Sequence, residues 1–348
     1  MKTHSFDIIK LHFTSALHLS SGKEGDYDSS LKVLHSDTLK SAIFACAVEL
    51  FGDDITTEPE ENNPFMDSFR VSSAFPFCGQ HCFLPKTAHP EGFIFRNSKG
   101  EIDRKAWKRV EFMDSDYFNR LLQSDNKEDA DRTHLSEKGD MFGSMFAGRG
   151  GKPFMESEVQ QRVSVLRHAT TPEADAQPYY LDRIFFEKGS GMYFALEWND
   201  RSFETSVQAA INLLGDNGIG TDRNTGSGHF EPEFGQQLEL VAASDATHYL
   251  NLSLYCPMKE EVKEAVMSNS SYRDLLKRGG WWASPTDANY MSFRKKSVYM
   301  FGEGALFGAA GTMPKGQLVN LRPEEAPDKT PVYRDGRAVF LPVALKTI

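Results

Sequence analysis

A glycine-rich segment at residues 218–228 carries residue types suited to holding a charged ligand. Glycines let the backbone reach positive φ and come close to a ligand, because no Cβ stands in the way. Successive amides in such a loop can form an anion nest, and Arg, Asn, Thr and Ser side chains add donors for phosphate and ribose hydroxyls. The alternative is an inert connection between a helix and a strand. We predict ligand contacts from Gly218, Ile219, Gly220, Thr221, Arg223, Asn224, Thr225, Gly226, Ser227 and Gly228.

Two common nucleotide-binding motifs do not fit this segment. A P-loop needs Gly-x-x-x-x-Gly-Lys-Ser/Thr before a helix, whereas this loop contains no lysine and follows a predicted helix. A Rossmann glycine motif likewise opens a helix after a strand. The order here is reversed, so both nucleotide folds are excluded.

Asp37 and three histidines are the residues that could support catalysis. A lone carboxylate is a poor magnesium site unless the phosphates of a substrate supply further ligands. We therefore favour Ser36 or Asp37 as a cap of the first helix, which would aim free amides at a phosphate. General acid–base cleavage of RNA needs a histidine within reach of a ribose 2′-OH, and nothing places two of the candidate histidines together. No catalytic residue is predicted, although an RNA-cleaving enzyme stays the rival interpretation; the histidines concerned are His18, His35 and His229.

The four cysteines predict neither a disulfide framework nor a cofactor site. Cys78 and Cys82 flank His81, which puts three soft ligands within five residues. Structural zinc usually needs a second ligand pair at a defined spacing, and the chain has none. Cys46 and Cys256 fit the apolar side of a helix and the end of a strand. We predict no metal and no cofactor, with zinc at Cys78 and Cys82 left open.

Hydrophobic periodicity predicts the elements that position the glycine-rich loop. Alternation predicts a first strand over 6–13, and helical spacing predicts a helix over 36–50 that buries Leu39, Ile43, Ala47 and Leu50. The order strand, helix, two strands, helix, strand is the βαββαβ order of ferredoxin-like folds, including RNA recognition motifs. The later predicted elements are strands over 69–77, 180–186, 191–198 and 229–234, and a helix over 203–214.

We predict an α+β fold with two ferredoxin-like domains, residues 1–240 and 241–348. Residues 78–177 are expected to form an irregular insertion in the first domain. Within that insertion, the composition of residues 142–152 predicts a mobile basic loop around Arg149 and Lys152. The second domain is less regular, and its predicted elements are strands at 249–255, near 272, at 297–301, near 319 and at 338–343, and a helix at 259–266.

The charge distribution argues against non-specific binding of nucleic acid. The formal net charge is −10, and non-specific binding depends on net positive charge. Basic residues concentrate in 141–170 and 272–296, which favours contact with RNA along one track. No apolar run approaches the roughly 18 residues of a membrane span, and the start lacks the apolar core of a signal peptide. We expect a cytoplasmic protein with no membrane partner.

Short segments spread over nearly the whole chain carry a family resemblance. Besides the glycine-rich loop they are Leu34-His-Ser-Asp-Thr-Leu39, Ser72-Ser-Ala-Phe-Pro-Phe77, Leu84-Pro-Lys86, Arg278-Gly-Gly-Trp-Trp282, Lys296-Ser-Val-Tyr-Met-Phe-Gly-Glu-Gly304 and Pro331-Val-Tyr-Arg-Asp-Gly336. In this order they resemble the RAMP superfamily of CRISPR RNA-binding proteins, and within it the family of the fourth Csm subunit of type III-A effector complexes, which serve antiviral defence.

The resemblance implies a non-catalytic subunit at the base of a ribonucleoprotein complex. Such a subunit holds the 5′ repeat-derived tag of the guide RNA and contacts the large polymerase-like subunit and the first backbone subunit, and it meets target RNA only indirectly. The rival from the same superfamily is an endoribonuclease that processes or cuts RNA. Besides the loop, the RNA-binding residues that the resemblance implies are His35, Ser36, Asp37, Arg162 and Arg167, together with Arg149 and Lys152 in a thumb-like hairpin inferred from position.

Trp281 and Trp282 permit two interpretations. Tryptophans can stack on unpaired bases, which is how proteins hold single-stranded RNA. They can equally anchor a core or a subunit contact. We favour packing for both, and we expect Lys295 and Lys296 to meet either phosphate or solvent.

Overall fold

A computed structural model gives the arrangement of most of the 348-residue chain. The residues it describes are 2–20, 27–55, 63–88, 111–116, 118–119, 140–142, 145–147, 154–164, 177–267, 270–282, 293–309, 313–326 and 331–344.

The first half is built on a long, mostly antiparallel sheet. Its centre is β1 (Lys2–Phe13), which pairs with β10 (Ser190–Trp198) on one side and with β11 (Phe230–Ala242) on the other. On the far side of β10 lie β2 (Phe69–Val71) and β3 (Phe75–Cys78), where one continuous strand was predicted. The sheet order is therefore β11-β1-β10-β3, and it continues through β4 (His81–Pro85), β5 (Phe112–Asp114), β7 (Met145–Ala147) and β6 (Asp140–Phe142).

Two long helices cover one face of this sheet, as the periodicity predicts. Helix α1 (Ser36–Phe51) follows β1, and α3 (Glu204–Asn217) follows β10. Their apolar stripes pack together with residues of β1 and β10 in one core. Leu50 is 45% exposed, so its predicted burial is wrong; the stripe ends one turn earlier, at Ala47. A short helix, α2 (Pro64–Asp67), precedes β2, and none of the described helices has the length and apolar run that a bilayer crossing requires.

The interval predicted as an irregular insertion contains regular strands. Besides β4 to β7 it holds β8 (Met155–Ser164), which pairs residue for residue with β9 (Gln177–Phe186) in a two-stranded ribbon. Most described side chains of β8 are exposed. Because neither face of such a strand is consistently buried, it shows little alternation of polar and apolar residues, and the sequence pattern missed it.

The second half has smaller sheets than the first. Strand β12 (His248–Asn251) lies between β15 (Leu306–Gly308) and β18 (Phe340–Val343). After β12 comes one helical segment, which consists of α4 (Lys259–Glu261) and a π-helical turn over Val262–Val266. A second βαββαβ unit would contain two helices, and the described residues of this half show only this segment. The other strands form two pairs, β13 (Leu275–Arg278) with β14 (Val298–Phe301) and β16 (Leu318–Asn320) with β17 (Tyr333–Asp335).

Both halves contribute to a shared core. Buried Phe6 and Leu240 of the first sheet cluster with Leu250, Leu306 and Leu341 of the second. A backbone hydrogen bond from the Ser73 amide to the Leu252 carbonyl joins the same surfaces. The junction of the halves is therefore a packed interior, which determines how its polar residues behave.

Candidate functional site

The glycine-rich loop has a base that is fixed by backbone hydrogen bonds. The Ile219 amide donates to the Gly228 carbonyl at 3.0 Å, which closes the loop on itself. The Thr221 amide donates to the carbonyl of His18 at 3.1 Å, and the Gly228 amide donates to that of Ala16 at 2.8 Å. The chain directly after β1 therefore anchors both arms of the loop.

Glycine is required at the base by close backbone contacts. Gly220 has φ +106°, and a Cβ there would lie 2.5 Å from the carbonyl oxygen of His18. Gly228 has φ +77°, and its Cβ would lie 1.8 Å from the carbonyl oxygen of Ile219. Gly226, at φ +83°, has open space around the same position. The glycines thus allow close backbone packing at the base of the loop, at least as much as they give a ligand access to the backbone.

The tip of the loop presents side chains rather than a continuous row of amides. It is a short 3-10 turn, Arg223–Thr225, whose end is closed by the Thr225 and Gly226 amides. Together with the three amides of the base, five loop amides donate to carbonyls of the protein. The predicted anion nest is therefore smaller than expected. The donors in solvent are the exposed side chains of Thr221, Arg223 and Asn224, because the Thr225 hydroxyl donates to the Asp222 carbonyl at 3.0 Å.

The β8–β9 ribbon lies against this loop and brings a predicted residue to it. Arg162 donates through Nη1 to Asp222 Oδ2 at 2.9 Å and to Thr225 Oγ1 at 3.4 Å. Arg183 of β9, which the sequence did not single out, donates to Ser227 Oγ at 3.4 Å. No motif marks Arg183; only the ribbon register places it beside the loop. The other predicted basic residues, Arg149, Lys152 and Arg167, lie outside the described residues.

The start of α1 is buried, and Asp37 is the centre of an ionic cluster. Its carboxylate is fully buried and accepts from Arg278 Nε at 2.8 Å and Nη2 at 3.0 Å, and from Arg334 Nη1 at 2.9 Å. The prediction that Ser36 or Asp37 caps the helix is wrong: the N-cap residue is His35, and its side chain makes no capping bond. Burial alone would raise the pKa of Asp37, but the two guanidinium groups outweigh it and hold that pKa far below its usual range.

His35 and Ser36 are also bonded inside the protein. His35 Nδ1 lies 2.8 Å from Glu303 Oε1; burial opposes protonation of the ring, but Glu303 outweighs it and raises the pKa of His35. Ser36 Oγ accepts from the Leu254 amide at 2.9 Å, while its own amide donates to Ser73 Oγ at 2.9 Å. Contact of His35, Ser36 and Asp37 with RNA stays a prediction, and burial makes them weaker candidates than the loop.

The two regions of the predicted site lie apart. Asn217, the residue before the loop, donates to Glu49 Oε2 at 3.3 Å, near the end of α1. Asp37 lies at the start of the same helix. Since an α-helix rises about 1.5 Å per residue, about 18 Å of helix separate Glu49 from Asp37. The residues predicted as one RNA-binding set therefore form two regions.

The paired tryptophans have different environments. Trp282 is 7% exposed, so its predicted packing is confirmed. Trp281 is 57% exposed, and the guanidinium of Arg294 lies 5.9 Å from its ring centre. Trp281 therefore does not pack in the core of this chain, and its packing at a subunit contact stays a prediction. Lys296 pairs with Glu324 at 3.0 Å in solvent.

Cys78 pairs with His81 across β3 and β4, but the two cysteines and His81 form no three-residue ligand group among the described residues. Cys82 is buried, and burial raises the pKa of its thiol to about 12, which disfavours the thiolate that zinc needs. His81 instead lies 2.9 Å from Asp114 Oδ2, and these two with Asp116 place ligand-type atoms within 4.8 Å of one another. Among the described residues, this is the group with metal-ligand spacing.

A strand-rich α/β protein with a glycine-rich loop between its second long helix and the next strand has a RAMP-like fold. Residues 244–343 match the family model described as the CRISPR Csm4 C-terminal domain. The CRISPR system Cms protein Csm4 of Methanocaldococcus jannaschii is 24% identical over 332 residues, which cover 86% of this chain and 84% of that protein. The Csm4 protein of Thermococcus onnurineus is 26% identical over 255 residues, covering 71% and 74%. Over most of its length the chain is therefore similar to Csm4 proteins, and residues 244–343 match the C-terminal domain of that family.

Solved structures show the same fold over nearly the full length. A chain in the crystal structure of a Csm3–Csm4 subcomplex of the type III-A CRISPR-Cas interference complex has a TM-score of 0.65 at 18% identity, covering 97% of this chain and 99% of that one. A chain in a Csm1–Csm4 cassette in complex with cA4 has a TM-score of 0.60 at 19% identity, covering 99% and 100%.

Proposed function

We propose that this chain is the RNA-binding subunit that holds the 5′ repeat-derived tag of the guide RNA in a type III-A Csm effector complex. The observation that carries the proposal is the exposed tip of the glycine-rich loop. Thr221, Arg223 and Asn224 present donors to solvent from a base that backbone bonds hold in place. Donors of these types position RNA through its phosphates and riboses.

A second element supports the loop as a binding surface. Arg162 approaches the loop from the β8–β9 ribbon, so cationic groups from two elements meet at one place. Its bond to Asp222 also fixes the turn that presents Arg223. Binding elements that are held rigid before the ligand arrives lose less entropy when it binds.

The descriptions of the solved relatives support a proposal for the partner subunits. The solved relatives are described as a Csm3–Csm4 subcomplex and a Csm1–Csm4 cassette. We propose the corresponding partners here: a large polymerase-like subunit, and a backbone subunit of the filament. Target RNA would then reach this chain only through the guide.

We further infer that the subunit is not a nuclease. The rival interpretation rests on His35 and Asp37 as base or metal ligand. Asp37 is fully buried, the His35 side chain is 12% exposed, and both have charged partners within the protein. An acid or base must reach the ribose hydroxyl within hydrogen-bonding distance, and these groups point into the interior.

The domain division is proposed on similar grounds. Residues 1–240 contain the β1-α1-β3-β10-α3-β11 order and the sheet order β11-β1-β10-β3, which supports a ferredoxin-like RAMP domain. Strand β11 ends at Ala242 and the Csm4 C-terminal family match begins at 244, which supports a second domain from about 241.

The test is a charge reversal at the loop tip. Arg223→Glu, in the chain co-expressed with its Csm partners and a guide RNA, should weaken tag binding at least about tenfold and lower the salt slope of binding by about 0.7. Lys263→Glu, an equally exposed reversal in the second half, is the matched control. Unchanged affinity of the Arg223→Glu complex for the guide RNA would contradict the proposal. Gly220→Asp is a poor test, because its Cβ would collide with the His18 carbonyl and disturb the base.

A further inference from the structure

One face of the β13–β14 pair is exposed although it carries large apolar side chains. Leu275 is paired with Phe301 and Lys277 with Tyr299, so the four side chains share one face, because side chains alternate along a strand. Leu275 is 50% exposed and Tyr299 is 57% exposed. The opposite face lies against the interior, where Met300 is fully buried. We refer to the exposed face as the outer face of β13–β14.

Aromatic residues extend the outer face of β13–β14 at both ends. At one end, Tyr272 is 49% exposed and its ring meets that of Phe301 edge-on, with the ring centres 4.7 Å apart. At the other end, Trp281 pairs with Arg294, whose guanidinium lies 5.9 Å from the centre of the indole ring. Lys295, the next residue, faces the buried charges of the interior, so Arg294 and Trp281 lie on the outer side.

Exposed apolar side chains are concentrated on this face. Single exposed apolar residues are normal on a protein surface, whereas adjacent ones mark a contact with another molecule. Tyr272, Leu275, Trp281 and Tyr299 are each about half exposed. Trp, Tyr and Arg are the residue types that contribute most to protein–protein interfaces. Unpaired RNA could stack on the rings, but it would leave the aliphatic side chain of Leu275 without a partner. The composition therefore favours a protein.

The charge of the outer face determines the chemistry of that protein. Residues 275–282 and 293–301 contain five lysines and arginines and no aspartate or glutamate, although the whole chain has a formal net charge of −10. Lys277 and Arg294 are exposed on the outer face, and neither has an ion pair among the described residues. Since potentials across an interface are complementary, the surface that covers these cations must carry carboxylates.

We propose that the outer face of β13–β14 is a docking surface for a neighbouring protein subunit that presents carboxylates to Lys277 and Arg294 around an apolar centre. Leu275 and Tyr299 form this chain's half of that centre, and Trp281 extends it beside Arg294. The proposal rests on the proposed function, which places this chain in an assembly with partner subunits, and it names the surface that one of them covers.

The docking surface is separate from the glycine-rich loop. The inner side of β13–β14 is bonded to the start of α1 through Arg278 and Asp37. About 18 Å of helix separate Asp37 from Glu49, which accepts a hydrogen bond from the residue before the loop. A subunit on the outer face therefore leaves the loop open to RNA, and the two contacts can be altered one at a time.

The test uses two side chains that make no hydrogen bond or ion pair in the described part of the chain. Lys277→Glu places a carboxylate opposite those of the partner, and Trp281→Ala removes the exposed ring. Each variant of the whole chain should bind one purified partner subunit, the large one or the backbone one, about tenfold or more weakly, as at interface hot spots. Lys188→Glu and Tyr27→Ala alter an exposed cation and an exposed ring of the first half. These matched controls should change that affinity less than about twofold.

The salt dependence of subunit binding gives a second readout. Raising the salt concentration should weaken binding of wild type more than binding of Lys277→Gln, because salt screens the ion pairs at the edge of an interface. The same salt dependence in both proteins would overturn the assignment of an acidic partner to this face.

The outcomes separate the docking surface from the function on which it rests. Unchanged affinity for both partner subunits in Lys277→Glu and Trp281→Ala would overturn the docking surface. Loss of guide-RNA affinity with intact subunit binding in these variants would also overturn it, in favour of an RNA contact. Arg223→Glu should keep the wild-type affinity for the subunits. If it also kept its affinity for guide RNA, the proposed function of the loop would be wrong while the docking surface remained.

Discussion

The glycine-rich loop and the start of α1 contain similar polar residues in opposite environments. At the loop, backbone bonds form the base and the donors of Arg223 and Asn224 remain in solvent. At the helix start, Asp37 is buried, His35 is mostly buried, and both are bonded to charged groups from the second half. Substitutions in the exposed part of the loop should therefore have little effect on the fold. The junction of the two halves contributes to the stability of the fold, whatever else it binds. This difference can be tested by paired substitutions.

The largest effect is expected at Asp37. Asp37→Asn keeps the shape but leaves Arg278 and Arg334 without their carboxylate, and breaking a buried ion pair costs about 3–5 kcal/mol. Asp222→Asn in the loop, where a half-exposed Arg162 is the charged partner, should cost about 1 kcal/mol or less. Urea unfolding of both variants measures the contrast. Equal losses would contradict the assignment of stability to the junction.

Glycine substitutions divide the loop itself into base and tip. Gly226→Ala meets open space and should cost only the roughly 1–2 kcal/mol of a left-handed backbone. Gly228→Ala adds a collision with the Ile219 carbonyl, and overpacking of this kind costs a further ~1–3 kcal/mol. Thermal or urea unfolding should rank Gly228→Ala below Gly226→Ala. The reverse order would show that the base is not the constrained part.

Arg162 tests whether the ribbon and the loop act together. Arg162→Gln should cost about 1 kcal/mol of stability or less and should weaken guide binding several-fold, because the turn loses its bond to Asp222. Arg201→Gln, another exposed ion pair of the first half, is the control and should leave guide binding unchanged. Equal guide affinities for the two variants would show that the ribbon does not contribute to the RNA-binding site.

The smallest effect concerns His35. Since Glu303 raises its pKa in the folded state, its contribution is fully present below the unfolded value of about 6.5 and is lost as pH rises through the folded value. Arg278 and Asp37 also face the ring, and they act in opposite directions. From pH 6.5 upward, wild type should lose unfolding free energy relative to His35→Gln. The prediction would be contradicted if wild type lost unfolding free energy relative to the control His4→Gln but not relative to His35→Gln.

The sequence predicted those elements whose pattern reflects burial on one side. Helix α1 was expected over 36–50 and occupies 36–51, and β1 and α3 were found with errors of a few residues at their ends. Strand β8 was missed because most of its described side chains are exposed. The second half was harder for a related reason: its strands are three or four residues long, too short to show a period.

The sequence could not predict those contacts of the site that join residues far apart in the chain. The loop was predicted from residue types and Arg162 from the family resemblance, and the structure brings them together. The role of Asp37 was not predictable, because Arg278 and Arg334 lie 241 and 297 positions away in the chain. Both arginines stand in segments that carry the family resemblance, yet a motif does not say which carboxylate its arginine will meet.

The most direct test of the central claim is to map where the guide tag touches this chain. In the assembled complex, a guide RNA with 4-thiouridine at successive tag positions would be photocrosslinked, and the attached peptides would be sequenced by mass spectrometry. The account predicts crosslinks within residues 221–226, reduced in Arg223→Glu and unaffected in Lys263→Glu. Crosslinks confined to other parts of the chain, with the loop peptide recovered unmodified, would contradict it.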